Sequence, residues 1–407
     1  MGKWETIPFK KLYLIPSRNG LTRPRSVRGN GFPFINMGEL FAYNRISDIE
    51  TDLVELTLQE REKVTLKNGD LLFARQSLVF EGAGKCTIVI NIKKTTAFES
   101  HIIRVRLNPL LANPNFYYYY FNSPLNPIGK IVQQCAQAGI RGSDLDNLKV
   151  TFPPLPTQEK IASILSAYDD AIENNNKRIK ILEKMAENLY REWFVRMRFP
   201  GHKTAEYENG LPKGWKRGRL EDAIEVDPIV KIPKGEKIKS VPMAALSTSQ
   251  MCIDENEISC STTATGSRFS NGDVLLAKIT PCLENGKTGF VNFLKENEYG
   301  CGSTEFIVLR ARTLSPYFVY FLARSQYFRG IAIGSMNGAD GRQRASVSKI
   351  KQIKLICPTQ DLVNKFSEVS KPFFDAIFKL SAMNHKLVKQ RNRLLPHLLS
   401  GNLEIKI

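Results

Sequence analysis

The sequence predicts an α+β protein: two homologous mixed α/β domains separated by two long antiparallel coiled-coil helices, related by an internal pseudo-two-fold. Three observations predict it. The 407 residues exceed one ordinary core. Blocks of sequence recur in the same order about 202 positions apart. Each copy ends in a proline-marked connector followed by a helical apolar pattern.

The repeat is read from short identities at a near-constant offset. Asn68-Gly69-Asp70-Leu71-Leu72 returns as Asn271-Gly272-Asp273-Val274-Leu275, and Gly84-Lys85 as Gly286-Lys287. Phe116 and Tyr118 return as Phe318 and Tyr320, Ser123 as Ser325, Gly139 as Gly341, and Pro156-Thr157-Gln158 as Pro358-Thr359-Gln360. The chain therefore reads as domain (1–156), helix (157–198), domain (199–357), helix (358–407). The residue before a proline avoids the helical region, which makes Phe152-Pro153-Pro154-Leu155-Pro156 and Cys357-Pro358 boundaries.

Thr157 is placed to cap the first helix. Behind it Ile161, Leu165, Tyr168, Ile172, Asn175, Ile179, Leu182, Ala186, Leu189 and Trp193 alternate steps of four and three, a heptad seam that demands a partner helix. At 1.5 Å per residue, about 35 residues span roughly 50 Å. Asn175 either fixes register or, within Glu173-Asn174-Asn175-Asn176, marks a loop between two shorter helices. In the second segment Leu362, Phe366 and Val369 form a short face. Lys371-Pro372 is predicted to interrupt it. A longer helix then carries Phe373, Ile377, Leu380, Leu387 and Leu394 and ends at Pro396 and Gly401. Two such helices in one chain solve each other's burial by pairing; packing of each on its own domain alone is the alternative.

Within the domains, residues 70–75 and 273–278 read as strands after an Asn-Gly turn, and residues 102–106 and 306–310 as further strands. Residues 115–121 and 317–321 follow a proline and read as short helices whose many rings need an interior. Basic and polar residues gather at turns. The first domain offers Arg75, Gln76, Lys85, Arg141 and Ser143; the second offers Arg268, Lys278, Lys287, Arg342, Gln343 and Arg344. Arg and Gln read guanine and adenine edges by paired hydrogen bonds, whereas Lys and Ser more often hold phosphates. Solvated loop charge is the alternative at each position.

Composition narrows the function. Lys and Arg number 58 against 40 Asp and Glu, a net charge of +18, which favours a polyanionic partner. The helical segments 158–198 and 360–400 hold only +1 and +4 of it. No run of about 18 apolar residues and no apolar leader core is present, so the expected address is cytoplasmic with no membrane span. Seven scattered cysteines, Cys135 among them, lack a Cys-x-x-Cys pair and read as free thiols. No metal site is expected.

Enzyme motifs fail on inspection. Phe80-Glu81-Gly82-Ala83-Gly84 matches a short methyltransferase cofactor pattern, but the strand-like Lys85–Ile90 after it makes a hairpin turn the better reading. Gly84-Lys85 is not a P-loop: Val79 replaces the first glycine and Cys86 the magnesium-binding hydroxyl. No catalytic residues are assigned.

Taken together, these features resemble the specificity subunits of type I restriction-modification systems. The carriers are the two Asn-Gly-Asp strand starts, the connector Pro153-Pro154-Leu155-Pro156-Thr157-Gln158-Glu159, Leu189-Tyr190-Arg191-Glu192-Trp193-Phe194-Val195, Leu211-Pro212-Lys213-Gly214-Trp215, and Leu394-Leu395-Pro396-His397-Leu398-Leu399-Ser400-Gly401. The shortened second connector and Pro372 depart from the pattern. The resemblance implies a non-catalytic chain whose two target-recognition domains each read one half of a bipartite asymmetric site in double-stranded DNA. The helices would set the spacing and dock methyltransferase (M) subunits; restriction (R) subunits would join them. S-adenosylmethionine, ATP and magnesium would then belong to those partners, none to this chain. A single-chain methyltransferase or nuclease, and a tandem scaffold that binds proteins, are the other readings.

Overall fold

The structure, a computed structural model, describes residues 4–134, 137–233, 235–296, 298–339 and 341–403. Cys135 lies outside the described residues. The chain divides into two compact units, Met1–Asp170 with Leu387–Ile407, and Ala171–Lys386.

In the first unit the sheet order is Tyr13–Asn19, Ile102–Leu107, Leu71–Ala74, Cys86–Val89 and Arg45–Ile46. In the second it is Ile224–Val226, Phe306–Ala311, Val274–Ala277 and Thr288–Phe290, the same order without the last strand. The first unit adds two three-stranded sheets and the second a further four-stranded sheet. In each, a strand pair ties the connector back: Glu5–Pro8 with Lys149–Phe152, and Lys216–Arg219 with Lys354–Cys357. The predicted strands at 70–75, 102–106, 273–278 and 306–310 are all present. Both Asn-Gly turns put glycine in the left-handed region, Gly69 at φ 88° and Gly272 at φ 86°, where a side chain would be strained.

The Asp of each Asn-Gly-Asp turn has a structural task. Asp70 is fully buried and accepts two hydrogen bonds of 2.7 Å from Nε and Nη2 of Arg106. Asp273 accepts from Nε and Nη2 of Arg310 at 2.8 and 2.7 Å. The short aromatic helices start at Pro114 and Pro316, capped by the side chains of Asn113 and Ser315. Every ring of Phe116–Phe121 is buried, so these aromatics build the core.

The first long helix runs Leu155–Tyr190 without a break and closes in a π turn over Arg191–Val195. It begins two residues before Thr157, which is therefore not its cap. Pro156 sits in the first turn, where its missing N–H is no loss. The loop reading of Asn175 fails: the helix is continuous there, and Asn175 Nδ2 donates to Asn384 Oδ1 at 2.8 Å while Asn384 Nδ2 donates to Asn176 Oδ1 at 2.9 Å.

The second long helix, Gln360–Leu399, passes through Pro372 and Pro396, so the predicted interruption and the stop at Pro396 are wrong. Phe366, Phe374 and Ile377 are fully buried on either side of Pro372 and hold the helix in phase across it. That phase also corrects the face: Ser370 and Phe374 point inward, while Val369 is 45% exposed. Gly401, at φ 73°, follows the helix end.

The helices pair antiparallel within each unit. In the second, Trp193 and Tyr190 pack on Phe366, with Ile179, Ile377 and Leu380 in the same core and Leu182, Leu189 and Phe373 against it. In the first, Ile161 and Leu165 share a core with Leu395 and Leu398, and Leu394 packs against it. There Asp169 joins an ion pair with Arg391 and accepts from the Tyr119 hydroxyl at 2.7 Å. Each helix also packs on the domain of its unit. No helix of the described residues is long and apolar enough to cross a membrane.

Candidate nucleic-acid interface

The turn clusters singled out by composition meet in space. In the first unit the Arg75 N–H donates to His101 O at 2.8 Å, and the Arg75 carbonyl accepts from Ile140 N at 2.9 Å. Gln76–Ser77 then pairs antiparallel with Ala138–Gly139. Gly139 keeps this approach open, because a Cβ there would lie 3.0 Å from the Arg75 carbonyl oxygen, closer than ordinary contact. Arg75 and Gln76 thus lie beside the turn that leads to Arg141 and Ser143, both exposed at the start of the short helix Gly142–Asn147.

The second unit repeats this junction. Lys278 N–H donates to Glu305 O at 2.9 Å, the Lys278 carbonyl accepts from Ala345 N at 2.8 Å, and Thr280 N–H donates to Gln343 O at 3.0 Å. Arg342 and Arg344 are exposed on the segment so held, and Gln343 is half-buried. Arg344 is engaged: its guanidinium donates to both oxygens of Glu305 at 2.7–3.0 Å. That bond holds the Glu305 carboxyl below its ordinary value.

Three residues stand apart from the junctions. Lys85 Nζ donates to the Phe41 carbonyl at 2.7 Å and lies 5.4 Å from that ring. Lys287 Nζ donates to the Met243 carbonyl at 3.0 Å. Both lysine and carbonyl recur at the repeat offset, so this is a duplicated tether. Burial draws the Lys85 ammonium below its ordinary value. Arg268, exposed on the strand Ser267–Ser270, donates to the Val230 carbonyl at 3.1 Å.

Sequence reasoning did not identify Glu305 as the partner of Arg344, nor the exposed apolar residues Leu78, Val79 and Phe80 beside Gln76-Ser77. The second had a signal, an apolar run directly after a polar turn. The first had none, since 39 residues separate the partners. Phe80–Gly82 forms a short 3-10 turn leading into the strand Cys86–Val89, as the hairpin reading requires. Among the described residues no group of three or more His, Cys, Asp or Glu is placed to hold a metal ion, and six cysteines are free.

Residues 1–184 match the family model for the type I restriction modification DNA specificity domain. Over 282 residues, 66% of its length, the chain is 26% identical to the type I restriction enzyme MjaIX specificity subunit of Methanocaldococcus jannaschii, of which the match spans 63%. It is 28% identical over 215 residues, half of its length, to the type I restriction enzyme EcoKI specificity subunit of Escherichia coli (strain K12), spanning 45% of that protein. The chain thus spans less than two thirds of these relatives. The fold matches the crystal structure of a type I restriction-modification system S subunit from M. genitalium with a TM-score of 0.58 at 13% identity, over 100% of this chain and 97% of that one. Residues 1–184 thus resemble a type I restriction modification DNA specificity domain, and the chain is similar over a longer span to type I restriction enzyme specificity subunits.

Proposed function

We propose that this chain is the non-catalytic, DNA-recognising component of a type I restriction-modification complex. Each domain reads one half of a bipartite asymmetric site in double-stranded DNA. The observation that carries the reading is the repeated junction. One backbone arrangement recurs in both units, and it presents Arg75, Gln76, Arg141 and Ser143 in one and Lys278, Arg342, Gln343 and Arg344 in the other. A shared frame with different side chains suits two readers of different half-sites. The net charge of +18 supplies the attraction to phosphate.

On this reading the long helices set the gap between half-sites and dock M subunits, with R subunits joining the assembly. S-adenosylmethionine, ATP and magnesium belong to those partners. The test is DNA binding by the chain in its M-subunit complex, on a site found by mapping methylated adenines. A salt-dependent affinity with a preference for the mapped site over random duplex supports the reading. Equal affinity for both, or S-adenosylmethionine binding by the isolated chain, overturns it. Arg342→Ala should relax recognition in one half-site only. Equal loss on random duplex would make Arg342 a phosphate contact.

A further inference from the structure

The first domain ends its junction in an apolar tip with no counterpart in the second. Leu78 is 87% exposed, Val79 59% and Phe80 39%, three adjacent large apolar residues facing solvent. At the repeat offset the second domain carries Thr280-Pro281-Cys282.

The tip is a fixed feature. Val79 N–H donates to Ser77 Oγ at 3.2 Å, Gly82 N–H to Val79 O and Ala83 N–H to Phe80 O, both at 3.2 Å. Its base is packed so closely that a Cβ on Gly82 would fall 2.1 Å from Ser77 Oγ. Such a clamped apolar projection is costly in water and marks a contact surface.

Its neighbours indicate the partner. The tip follows Arg75-Gln76-Ser77 directly, and that segment is hydrogen-bonded to the turn bearing Arg141. This flanking charge complements DNA. Glu81, exposed on the same loop, would repel phosphate yet can accept from an amino group on a base edge. An apolar tip with one carboxylate between basic flanks therefore suits the floor of the major groove. The one apolar group there is the C5 methyl of thymine.

Resting on the DNA-recognition reading above, we propose that Leu78 and Val79 are specificity determinants that read thymine methyl groups in one half-site. The second domain, lacking the tip, reads its half-site without them.

The test uses the chain assembled with its M subunits and duplexes carrying the mapped site. Replacing thymine by deoxyuridine in one half-site removes only the methyl group. The wild-type complex should bind about fourfold more weakly for each contacted thymine replaced, the factor for one buried methyl. The L78S/V79S variant should lose a similar factor on the thymine duplex and be indifferent to deoxyuridine, with the other half-site and the gap unchanged. Leu78→Met should restore the discrimination. Because both residues are exposed, the variant's melting temperature should match the wild type.

Unchanged affinity in the variant, or persisting sensitivity of the variant to deoxyuridine, would each overturn the proposal. So would normal DNA binding with lost M-subunit assembly, which would make the tip a protein contact. If the wild-type complex yields no bipartite site at all, it is the DNA-recognition reading that has failed.

Discussion

Asp70 with Arg106, and Asp273 with Arg310, hold the same place in two sheets, and each carboxylate is buried under a two-pronged guanidinium. Removing one partner of such a pair leaves an uncompensated charge, which costs about 3–5 kcal/mol. Asp70→Ala should destabilise the first domain by that amount. Amide exchange would then accelerate in Leu71–Ala74 and not in the twin strand Val274–Ala277. Equal acceleration in both strands would contradict a local role. Glu183 is a different case. It is largely buried and accepts from Met251 N–H at 2.6 Å, and burial pushes its carboxyl above the ordinary range, against the pull of that bond, Arg324 and Lys180. A carboxyl raised by folding favours its protonated form in the fold. Its contribution is therefore present at low pH and lost as pH rises through the raised value. Glu183→Gln keeps an acceptor and removes the titration. The variant should melt above the wild type at pH 7, with the difference shrinking as the pH falls into the acid range. A constant difference across pH would show that Glu183 does not titrate as described.

The long helices show which features of an element are written locally and which are not. The heptad spacing from Ile161 to Trp193, the two Asn-Gly-Asp strand starts and the proline-led aromatic helices were legible because each lies in one stretch of sequence. Continuity through Pro372 was not. Proline inside a helix costs about 3 kcal/mol, but full burial of a large apolar side chain returns about 1.5–3 kcal/mol, and Phe366, Phe374 and Ile377 are all fully buried beside it. Tertiary packing outweighs local propensity there. Pro372→Ala should accordingly raise stability by up to about 3 kcal/mol in urea unfolding. A loss would mean that the proline shapes the helix. The site was legible in the same uneven way. Arg75-Gln76 and Gly139–Ser143 each stood out by composition. Their pairing spans more than sixty residues and leaves no local trace. The lysines add a feature with no local signal: Lys85 and Lys287 stand out as basic residues in sequence, and each ammonium also donates one hydrogen bond to a distant backbone carbonyl. At Asn175 two sequence readings competed, and the amide contact with Asn384 decides between them. Asn175→Leu should cost about 1–3 kcal/mol by stranding the half-buried Asn384 amide, and Asn175→Leu with Asn384→Leu should recover most of it. No recovery would remove the amide pair as the cause.

At the scale of the whole molecule, the proposed ruler rests on helix continuity. The first long helix runs unbroken from Leu155 to Tyr190, and the second from Gln360 to Leu399. A helix advances 1.5 Å per residue, so one heptad adds about 10.5 Å, the length of about three base-pair steps of 3.4 Å. Seven residues also return the apolar seam to nearly the same face, so paired insertions preserve the contact between helices. Insertion into one helix alone would put one seam out of register with the other and should reduce folded yield. One heptad inserted into both helices, on the Asn175 side of Ile179 and the matching side of Asn384, should therefore keep the pairing. Adenine methylation mapped in cells carrying the complete system should then show both half-site sequences unchanged and the gap between them longer by about three base pairs. A changed half-site with an unchanged gap would refute the ruler, because specificity would then depend on the helices instead of the junctions. An unchanged gap with unchanged half-sites would place the control of spacing in the partner subunits.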